Sequence, residues 1–557
     1  MQRFAVARVA AAFMTLATCL LPLKASAQQQ TTFCLEGGLR ISVERFEVRD
    51  GKFVLYVAGS ATPVEYASNV VKGINVPCSS AGQERPQNQP QQDQTQQTQG
   101  RQEASPAPSA EGRSFGIHGS NTIGERLMPM LIEAYSMKKF GKKPVTKLAG
   151  DEAQEIALEA SSGPGTVIEL LAHGSGTATP GLISGKAIIG MASRRLNAEE
   201  RQQIEQKFDA DVLAPGNEHV LALDGLAVIV NPANPVKNLS LEQIAQIFAG
   251  EITNWRDVGG DDQPIDLYRR DNKSGTYDTF KSLVLAPAGG TKREISPQAK
   301  AYESSELLSR DVEHDVKGIG FIGLPYIGRN TALAISSSCG IASHPSKFSV
   351  KTEEYPLARR LYLYTIGAPT NSTARDLLEF ALSDDAQATV KEAEFVDQAI
   401  DFEDDDAQRN WANGIGNDPT RGLPSGKSVP GAAVDAFARA MDRAHRTSIA
   451  FRFEKGSAQL DNRALQDVAR LARYLDAPQQ SGRRYLIAGF ADATGSWGTN
   501  KQLALRRAEA VVDELRQAGV NVPRESIASF SYLAPVACND TDAGAAKNRR
   551  VEVWIWR

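Results

Sequence analysis

The chain has 557 residues, too many for one hydrophobic core, so several structural units of ordinary size are expected. A net charge of −4 and a charged fraction of 23% give no hint of the basic surface of a nucleic-acid-binding protein. With 41% apolar residues the chain is ordinary globular material, and its function has to be read from local patterns.

In chain order, MQRFAVAR carries Arg3 and Arg8, an apolar run to Leu23 follows, and Ala25-Ser26-Ala27 supplies the small residues of a cleavage site. Residues 1–27 are therefore expected to be a signal peptide, with the exported chain beginning near Gln28. Thr18 before Cys19 fits a lipoprotein site poorly, so cleavage is expected rather than lipidation. No later run approaches the ~20 apolar residues of a membrane helix, and no series of ~10-residue alternating strands predicts a membrane barrel. Export leaves Cys34, Cys78, Cys339 and Cys538. Within 28–78, FEVRDGKFVLYV reads as a hairpin turning at Asp50-Gly51. So short a β-rich domain needs a staple, and a Cys34–Cys78 disulfide is expected. Cys339 and Cys538 fall in different units and are expected as buried thiols, with a bridge between them as the alternative. Residues 79–112, rich in Gln, Pro and Ser, read as a disordered linker.

From 113 to 400, strand-like runs such as AIIGMAS and LAVIVN alternate with helical ones, which predicts an α/β unit. In SLEQIAQIFAG, Ser240 and Gln243 make a capping pair and Gly250 a stop. Three Gly- and hydroxyl-rich turns each precede a helix: HGSNTIG at 118–124, HGSGTATPG at 173–181 with Thr179-Pro180 as an N-cap and N1 pair, and NKSGT at 272–276. Helix starts expose unpaired N–H groups and partial positive charge, and Arg270 adds a two-pronged donor, so together these turns suit an anion.

GSNTIG, GSGT followed by IGMASRRL, FAGEITNWRDVGG, RRDNKSGTYDTF, GIGFIGLPYI and YPLARRLYLYT resemble the periplasmic phosphate-binding proteins of phosphate ABC transporters. The resemblance implies two α/β lobes joined by crossover strands and closing on a ligand. It also implies that Ser120, Thr122, Ile123 (through its N–H), Ser175, Ser193, Arg194, Arg270, Ser274, Gly275 and Thr276 hold inorganic phosphate or a similar oxyanion. Many relatives place an aspartate after the serine equivalent to Ser193, where it accepts the proton of hydrogen phosphate and rejects sulfate. Here Arg194 stands there, as in a subgroup of the family, and an arginine cannot accept a proton. Asp271 is one replacement acceptor; its alternative role is to orient Arg270.

Residues 401–447 turn acidic and then rich in Gly, Pro and Ser, which reads as a connector with a short helix in AAVDAFARAMDRAH. The run DFEDDDAQRN has no His or Cys beside it and reads as a solvated loop, so no metal is expected. From 448 to 557, strands alternate with amphipathic helices in an α+β pattern. The longer helix has Thr499 as N-cap, Gly519 as stop, and Leu503, Ala508, Val511, Val512 and Leu515 as its buried stripe.

FEKGSAQL, GFADATGSWGTNKQLALRRAEAVVDEL and PVACNDTDAGAAKNRRVEVWIW resemble the OmpA-like peptidoglycan-binding domain. The resemblance implies that Asp492 takes the ammonium and Arg507 the carboxylate of diaminopimelate, with Asn500 and Leu503 in the same site. Departures at Ala491, Ala504 and Ala545 leave this charge pair intact. The expectation is then a multidomain, non-enzymatic oxyanion receptor of the Gram-negative periplasm, fixed to the cell wall near the outer membrane and serving an ABC transporter permease. It needs no cofactor. The alternative is a structural or adhesive envelope protein with a vestigial site, the reading that Arg194 favours. An enzyme using His118 or His173 as base for Ser120 or Ser175 is disfavoured, because no nucleophile elbow or metal-ligand spacing accompanies them.

Overall fold

The computed structural model describes residues 114–150, 153–159, 165–272, 274–286, 290–480 and 482–556, with six short strands between 31 and 74. The expected signal peptide, the linker, and Cys78 with its expected bridge to Cys34 lie outside the described residues. The chain divides into two units, Met1–Ser105 and Pro106–Arg557. In the first, the strands form two three-stranded antiparallel sheets. Arg45–Arg49 pairs with Lys52–Tyr56 so that Arg49 faces Lys52, the register of a hairpin with a two-residue connection at 50 and 51.

The second unit is built on a long mixed sheet that passes through two lobes. The first lobe supplies Ile189–Ala192, Ser114–Gly119, Thr166–Ala172, Ala153–Leu158 and Val145–Leu148; the second supplies Gly318–Gly323, Asp266–Arg270 and Lys300–Tyr302. Between them run two antiparallel crossover strands, Glu218–Val230 and Ala358–Tyr364. Glu218–Val230 is buried almost throughout, as a strand covered on both faces must be. Each lobe has its own core. Ile117, Leu131, Ile168 and Leu363 belong to the first, while Phe248, Phe280, Phe321 and Val350 belong to the second. Phe280 stacks on Phe321 at 3.9 Å with Phe248 edge-on, contacts that add about 0.5–1.5 kcal/mol each beyond burial.

The helix Leu241–Ala249 has the Ser240/Gln243 capping box and the left-handed Gly250 that its sequence predicts. The helix after Gly174 differs from expectation. It opens with a tight turn, Ser175–Thr177, and continues as Ala178–Ile183, so Thr179 and Pro180 lie inside the first α-helical turn. Proline is tolerated there because first-turn N–H groups have little intrahelical bonding to lose.

Past residue 400, Ala444–Arg452, Arg550–Trp556, Tyr485–Gly489 and Ile527–Ser529 form a four-stranded sheet. Helices Asn462–Asp476 and Trp497–Gln517 cover one face, burying Leu471, Val511, Val512 and Leu515 against Phe451, Ile487 and Val553. The longer helix is capped by Ser496, whose Oγ accepts from the Thr499 N–H, not by Thr499 itself. Leu503 is only half-buried, and Ala504 takes the interior place. Gly519, at φ +90°, ends the helix as expected.

The stretch read as a connector carries two helices, Asp405–Asn417 and Gly431–Met441. Its acidic run is a helix start in which Asp404 caps the N–H groups of Asp406 and Ala407, where negative charge is favourable. Ile415, Phe437 and Met441 pack on the sheet's second face against Phe490, Phe530 and Trp554.

A polar seam joins this sheet unit to the two-lobed unit. Cys339, in the turn between Ala334–Ser336 and Ala342–Ser343, is disulfide-bonded to Cys538 across 199 residues of sequence. This corrects the expectation of two buried thiols, and the reason is tertiary: docking brings their Cα atoms to 5.8 Å. Arg446 is 1% exposed and bound by Glu354 and Glu552. Arg463 pairs with Glu353 at 2.8 Å, and buried Lys351 with Asp397 at 3.0 Å and Asp401 at 2.6 Å.

Glu403 lies in the same seam. Burial pushes its carboxyl up to about 7, Glu354 and Glu552 add to the rise, and Arg446 opposes it. Its ordinary value is 4.5, so the folded chain binds this proton more tightly than the unfolded one. The contribution of Glu403 to stability is therefore greatest below pH 4.5 and declines as pH rises from 4.5 to about 7, by about 1.4 kcal/mol per unit at most. Glu403→Gln mimics the protonated acid. Paired thermal scans should show its melting temperature raised by about 2–5 °C at pH 8 and nearly unchanged at pH 5; equal shifts at both would mean that another group titrates.

Candidate functional site

Three parallel strands of the first lobe end side by side, because Ser114–Gly119 is flanked by Thr166–Ala172 and Ile189–Ala192. Chain leaving such a sheet edge enters the crevice where α/β folds bind ligands. Gly119 makes the exit possible: at φ +145° a Cβ would lie 1.9 Å from the Met191 carbonyl oxygen. Ser120 follows, 1% exposed, its N–H donating to that same carbonyl at 2.9 Å. Thr122 and Ile123 then open the helical run Ile123–Leu127 and Met128–Phe140. From the neighbouring strand ends, Ser175 and Ser193 meet: the Ser193 N–H donates to Ser175 Oγ at 3.0 Å, and the hydroxyls are 3.2 Å apart.

The second lobe contributes the end of Asp266–Arg270 and the helix start behind it. Ser274 caps Gly275–Phe280, its Oγ accepting from the Thr276 N–H at 3.2 Å. Arg270 is held by three acceptors: Tyr302 O at 3.2 Å, Ser305 Oγ at 2.6 Å and Glu303 O at 2.7 Å. A guanidinium has five N–H groups, so two remain for a ligand. Burial lowers the Arg270 pKa, with Asp271 and Glu125 opposing.

The two helix starts touch. A Cβ on Gly275 would fall 2.1 Å from Thr122 Oγ1, so only glycine permits this approach. Ser120, Thr122 and Ile123 are thereby brought to Ser274, Gly275 and Thr276. Arg359, on the crossover strand Ala358–Tyr364, ties the joint: Nη2 donates to Thr122 Oγ1 and to Gly275 O, each at 3.0 Å, and Nε to Asp224 at 3.1 Å. With a side chain 9% exposed, it is a structural cation at the centre of the cleft. Sequence reasoning missed Arg359, although a charge doublet in an otherwise apolar strand was a usable signal. Glu125 was missed too. Burial raises its pKa, Asp271 and Asp278 reinforce the rise, and an Asn121 hydrogen bond and Arg270 oppose it.

Arg194 is engaged elsewhere. Its guanidinium grips Glu200 bidentately, Nη1 at 2.7 Å and Nη2 at 2.8 Å, beside the Asn197 cap of helix Ala198–Phe208. The remaining groups are hydrogen-bond donors disposed around a small polar joint, an arrangement able to hold a tetrahedral oxyanion. A cavity of about 850 Å³ lies in the seam between the four-stranded sheet and the two lobes, lined by residues such as Phe348, Trp411 and Arg446, and contains none of these side chains.

In the four-stranded unit, Asp492 follows Tyr485–Gly489 and pairs with Arg549 at 3.1 Å while accepting from the Thr494 N–H at 2.9 Å. Burial alone would raise its carboxyl, but the Thr494 and Arg549 bonds hold it below the usual range. Asn500 donates to Thr494 O at 2.6 Å and shapes that loop, with Leu503 one turn further along the helix. Arg507 is fully buried and donates from Nε to Ser457 O at 2.9 Å and from Nη2 to Glu454 O at 3.2 Å. Its Nη1 has no partner. Burial, with Arg549 nearby, lowers its pKa to about 10, so it stays cationic at neutral pH. An acid and a base with one unsatisfied donor thus stand together, as a zwitterionic ligand requires.

A PBP superfamily domain matches residues 141–385 and the OmpA family matches residues 452–549. The chain is 32% identical over 228 residues to the phosphate-binding protein PstS of Bacillus subtilis, covering 41% of this chain and 69% of that one. It is 31% identical over 220 residues to the PstS of Pseudomonas aeruginosa, covering 37% and 65%. It therefore spans about two thirds of the length of these relatives. Among solved structures, an ABC-type phosphate transport receptor from Vibrio cholerae aligns at 26% identity with a TM-score of 0.39, over 51% of this chain and 99% of that one. The peptidoglycan-associated lipoprotein of Burkholderia pseudomallei aligns at 29% identity with a TM-score of 0.18, over 19% and 88%.

Gly275→Ala tests the joint between the lobes. The added methyl has no room against Thr122, so oxyanion affinity measured by calorimetry should fall at least about tenfold while the melting temperature moves little. Unaltered affinity would show that the two helix starts do not need to touch.

Proposed function

We propose that this chain, which belongs to the PstS family of phosphate-binding proteins and carries an OmpA-family domain after its two-lobed unit, is a phosphate receptor held on peptidoglycan in the cell envelope. The observation that carries this reading is the contact of Thr122 with Gly275 under Arg359, which gathers donors from both lobes around one small space. Arg270, positioned by three acceptors, supplies the two-pronged contact to the phosphate oxygens. Ser120, Thr122, Ser175, Ser274 and Thr276 donate hydroxyls, and first-turn N–H groups such as that of Ile123 add backbone donors. Such a receptor delivers its ligand to an ABC transporter permease or reports on it. The alternative of a vestigial site rests on Arg194 standing where many relatives have an aspartate; in this structure Arg194 is paired with Glu200.

In this reading Asp492 and Arg507 make the wall contact, with diaminopimelate as the zwitterion they grip, and the chain works in a Gram-negative periplasm beneath the outer membrane. Among the described residues no helix is long and apolar enough to cross a membrane. The carboxylate of the ligand would take the unpartnered Nη1 of Arg507, and its ammonium would approach Asp492 opposite Arg549.

Calorimetry of the exported chain with phosphate tests the first assignment. Arg270→Ala should weaken binding by several kcal/mol, about a hundredfold or more, because a desolvated charge-assisted contact is lost. Affinity equal to that of the parent would sink the site.

Sedimentation with purified diaminopimelate-type peptidoglycan tests the second. Asp492→Asn and Arg507→Ala should each release most of the chain to the supernatant, and the double variant should lose less than the sum of the two because both contacts grip one ligand group. A correctly folded double variant that still sediments would move the wall contact elsewhere.

A further inference from the structure

We propose that Arg359 is a second arginine ligand of the oxyanion: its Nη1 donates to a ligand oxygen at the joint between the lobes, beside the Thr122 hydroxyl. This adds a contact to the phosphate site proposed above and rests on that reading.

A guanidinium holds its five N–H groups in one rigid plane, with a parallel pair on the Nε side, from Nε and Nη2, and another at the far end, from Nη2 and Nη1. In Arg359 the Nε side is closed by Asp224, whose Oδ2 lies 3.1 Å from Nε and 3.0 Å from Nη2. The far end points into the joint, because Nη2 also reaches Thr122 Oγ1 and Gly275 O, each at 3.0 Å. One N–H of Nη1 runs parallel to that donor and leaves the guanidinium in the same direction. Planarity alone aims it at the place where the two lobes touch.

That N–H has nothing to bond. Among the described residues Nη1 of Arg359 has no hydrogen-bond partner, although its side chain is only 9% exposed. Unlike the partnerless Nη1 atoms of Arg507 and Arg550, it is not sealed in the interior, so a ligand can reach it. The oxygens already at the joint do not compete for it. Gly275 O accepts from Nη2 and from Thr279 Oγ1 at 2.7 Å, which uses both of its lone pairs. Thr122 Oγ1 accepts from Nη2 and so has its O–H left to give. Asp278 is near enough to act on the Arg359 charge but makes no hydrogen bond or ion pair with it. A charged donor left partnerless at so little exposure is costly, and an arriving acceptor lifts the cost. The acceptor that fits bears negative charge and takes the Thr122 O–H as well as the Nη1 N–H, as one corner of a tetrahedral oxyanion does. Arg270 ends a strand of the second lobe and Arg359 lies on the crossover strand Ala358–Tyr364, so the two cations reach the ligand from different elements. Asp224 fixes the orientation of Arg359 with donors that the ligand does not need.

The test is calorimetry of the full exported chain with phosphate, for the parent, Arg359→Lys and Arg360→Lys, together with a crystal structure of the phosphate-bound parent. Lysine keeps a charge for Asp224 but loses the planar fork. Arg360 is the control from the opposite face of the same strand, where it binds Glu353 and Asp461. Arg359→Lys should weaken phosphate binding at least about tenfold, and Arg360→Lys should change it by less than about twofold. In the bound structure Nη1 of Arg359 should lie about 2.7–3.2 Å from a ligand oxygen. Parent-like affinity in Arg359→Lys, an equal loss in Arg360→Lys, or a bound phosphate out of reach of Nη1 overturns the assignment of Arg359 while the phosphate site stands. Where Arg359→Lys does not fold, the bound structure of the parent decides alone. A parent that binds no phosphate overturns the phosphate reading and this inference with it.

Discussion

Both lobes, the ligand joint and the docked sheet unit depend on one antiparallel pairing, that of Glu218–Val230 with Ala358–Tyr364. Side chains alternate along a strand, so adjacent residues are sent to opposite faces. Arg359 and Arg360 show what that alternation accomplishes. Arg359 turns to the cleft and ties Thr122, Gly275 and Asp224 together, while Arg360 turns the other way to Glu353 and to Asp461 of the sheet unit. A one-residue slip in this pairing would exchange the two and dismantle both contacts. Further along the pair, Tyr364 donates to Glu218 at 3.1 Å, and Glu218 in turn holds Arg195.

The seam on the Arg360 side is ionic where a hydrophobic contact would have been simpler. Buried ion pairs rarely add much net stability, because desolvation offsets the attraction, but removing one partner leaves an uncompensated charge and costs about 3–5 kcal/mol. Such a seam defines orientation more than strength. Glu353 illustrates how tightly: it adopts φ +58°, a left-handed conformation that costs a non-glycine residue about 1–2 kcal/mol, yet it receives both Arg360 and Arg463. Burial would raise its carboxyl, and those two arginines drive it far below the usual range instead. The Cys339–Cys538 bridge closes the far end of the same surface.

Local signals in the sequence were legible where the physics is local. Ser240 with Gln243, Gly250, Gly519, the Asp50-Gly51 hairpin register and the three helix starts all follow from neighbours within a few residues. The stripe of Val511, Val512 and Leu515 follows from helical period alone. What escaped depends on partners far away in the chain. Arg359 matters because Thr122 lies 237 residues before it, and Cys339 pairs with Cys538 only once the units dock. The acidic and Pro-rich composition of 401–447 suggested solvent, whereas the apolar positions Ile415, Phe437 and Met441 were spaced to cover a sheet face that no local window contains. Arg194 shows the same limit: motif position suggests a ligand donor, and its partner Glu200 lies outside the motif.

The same contacts hold the two lobes to the sheet unit unequally. The sheet unit touches the second lobe through buried groups: Arg446 with Glu354, Arg463 with Glu353, and the disulfide. It touches the first lobe through Arg473–Asp384, each side chain 56% exposed, through Arg470 with the same Asp384 at 4.0 Å, and through Asn462, which donates to Leu213 O at 2.7 Å and to the buried Glu218 carboxylate at 3.3 Å. Exposed ion pairs contribute about 0–1 kcal/mol and a hydrogen bond about 1–3 kcal/mol, against several for removing one partner of a buried charge pair. The second lobe, with Arg270, Ser274 and Gly275, thus shares more buried ionic contacts with the OmpA-family domain than the first lobe does. Arg359, on the strand between the lobes, holds one group from each, Thr122 Oγ1 and Gly275 O.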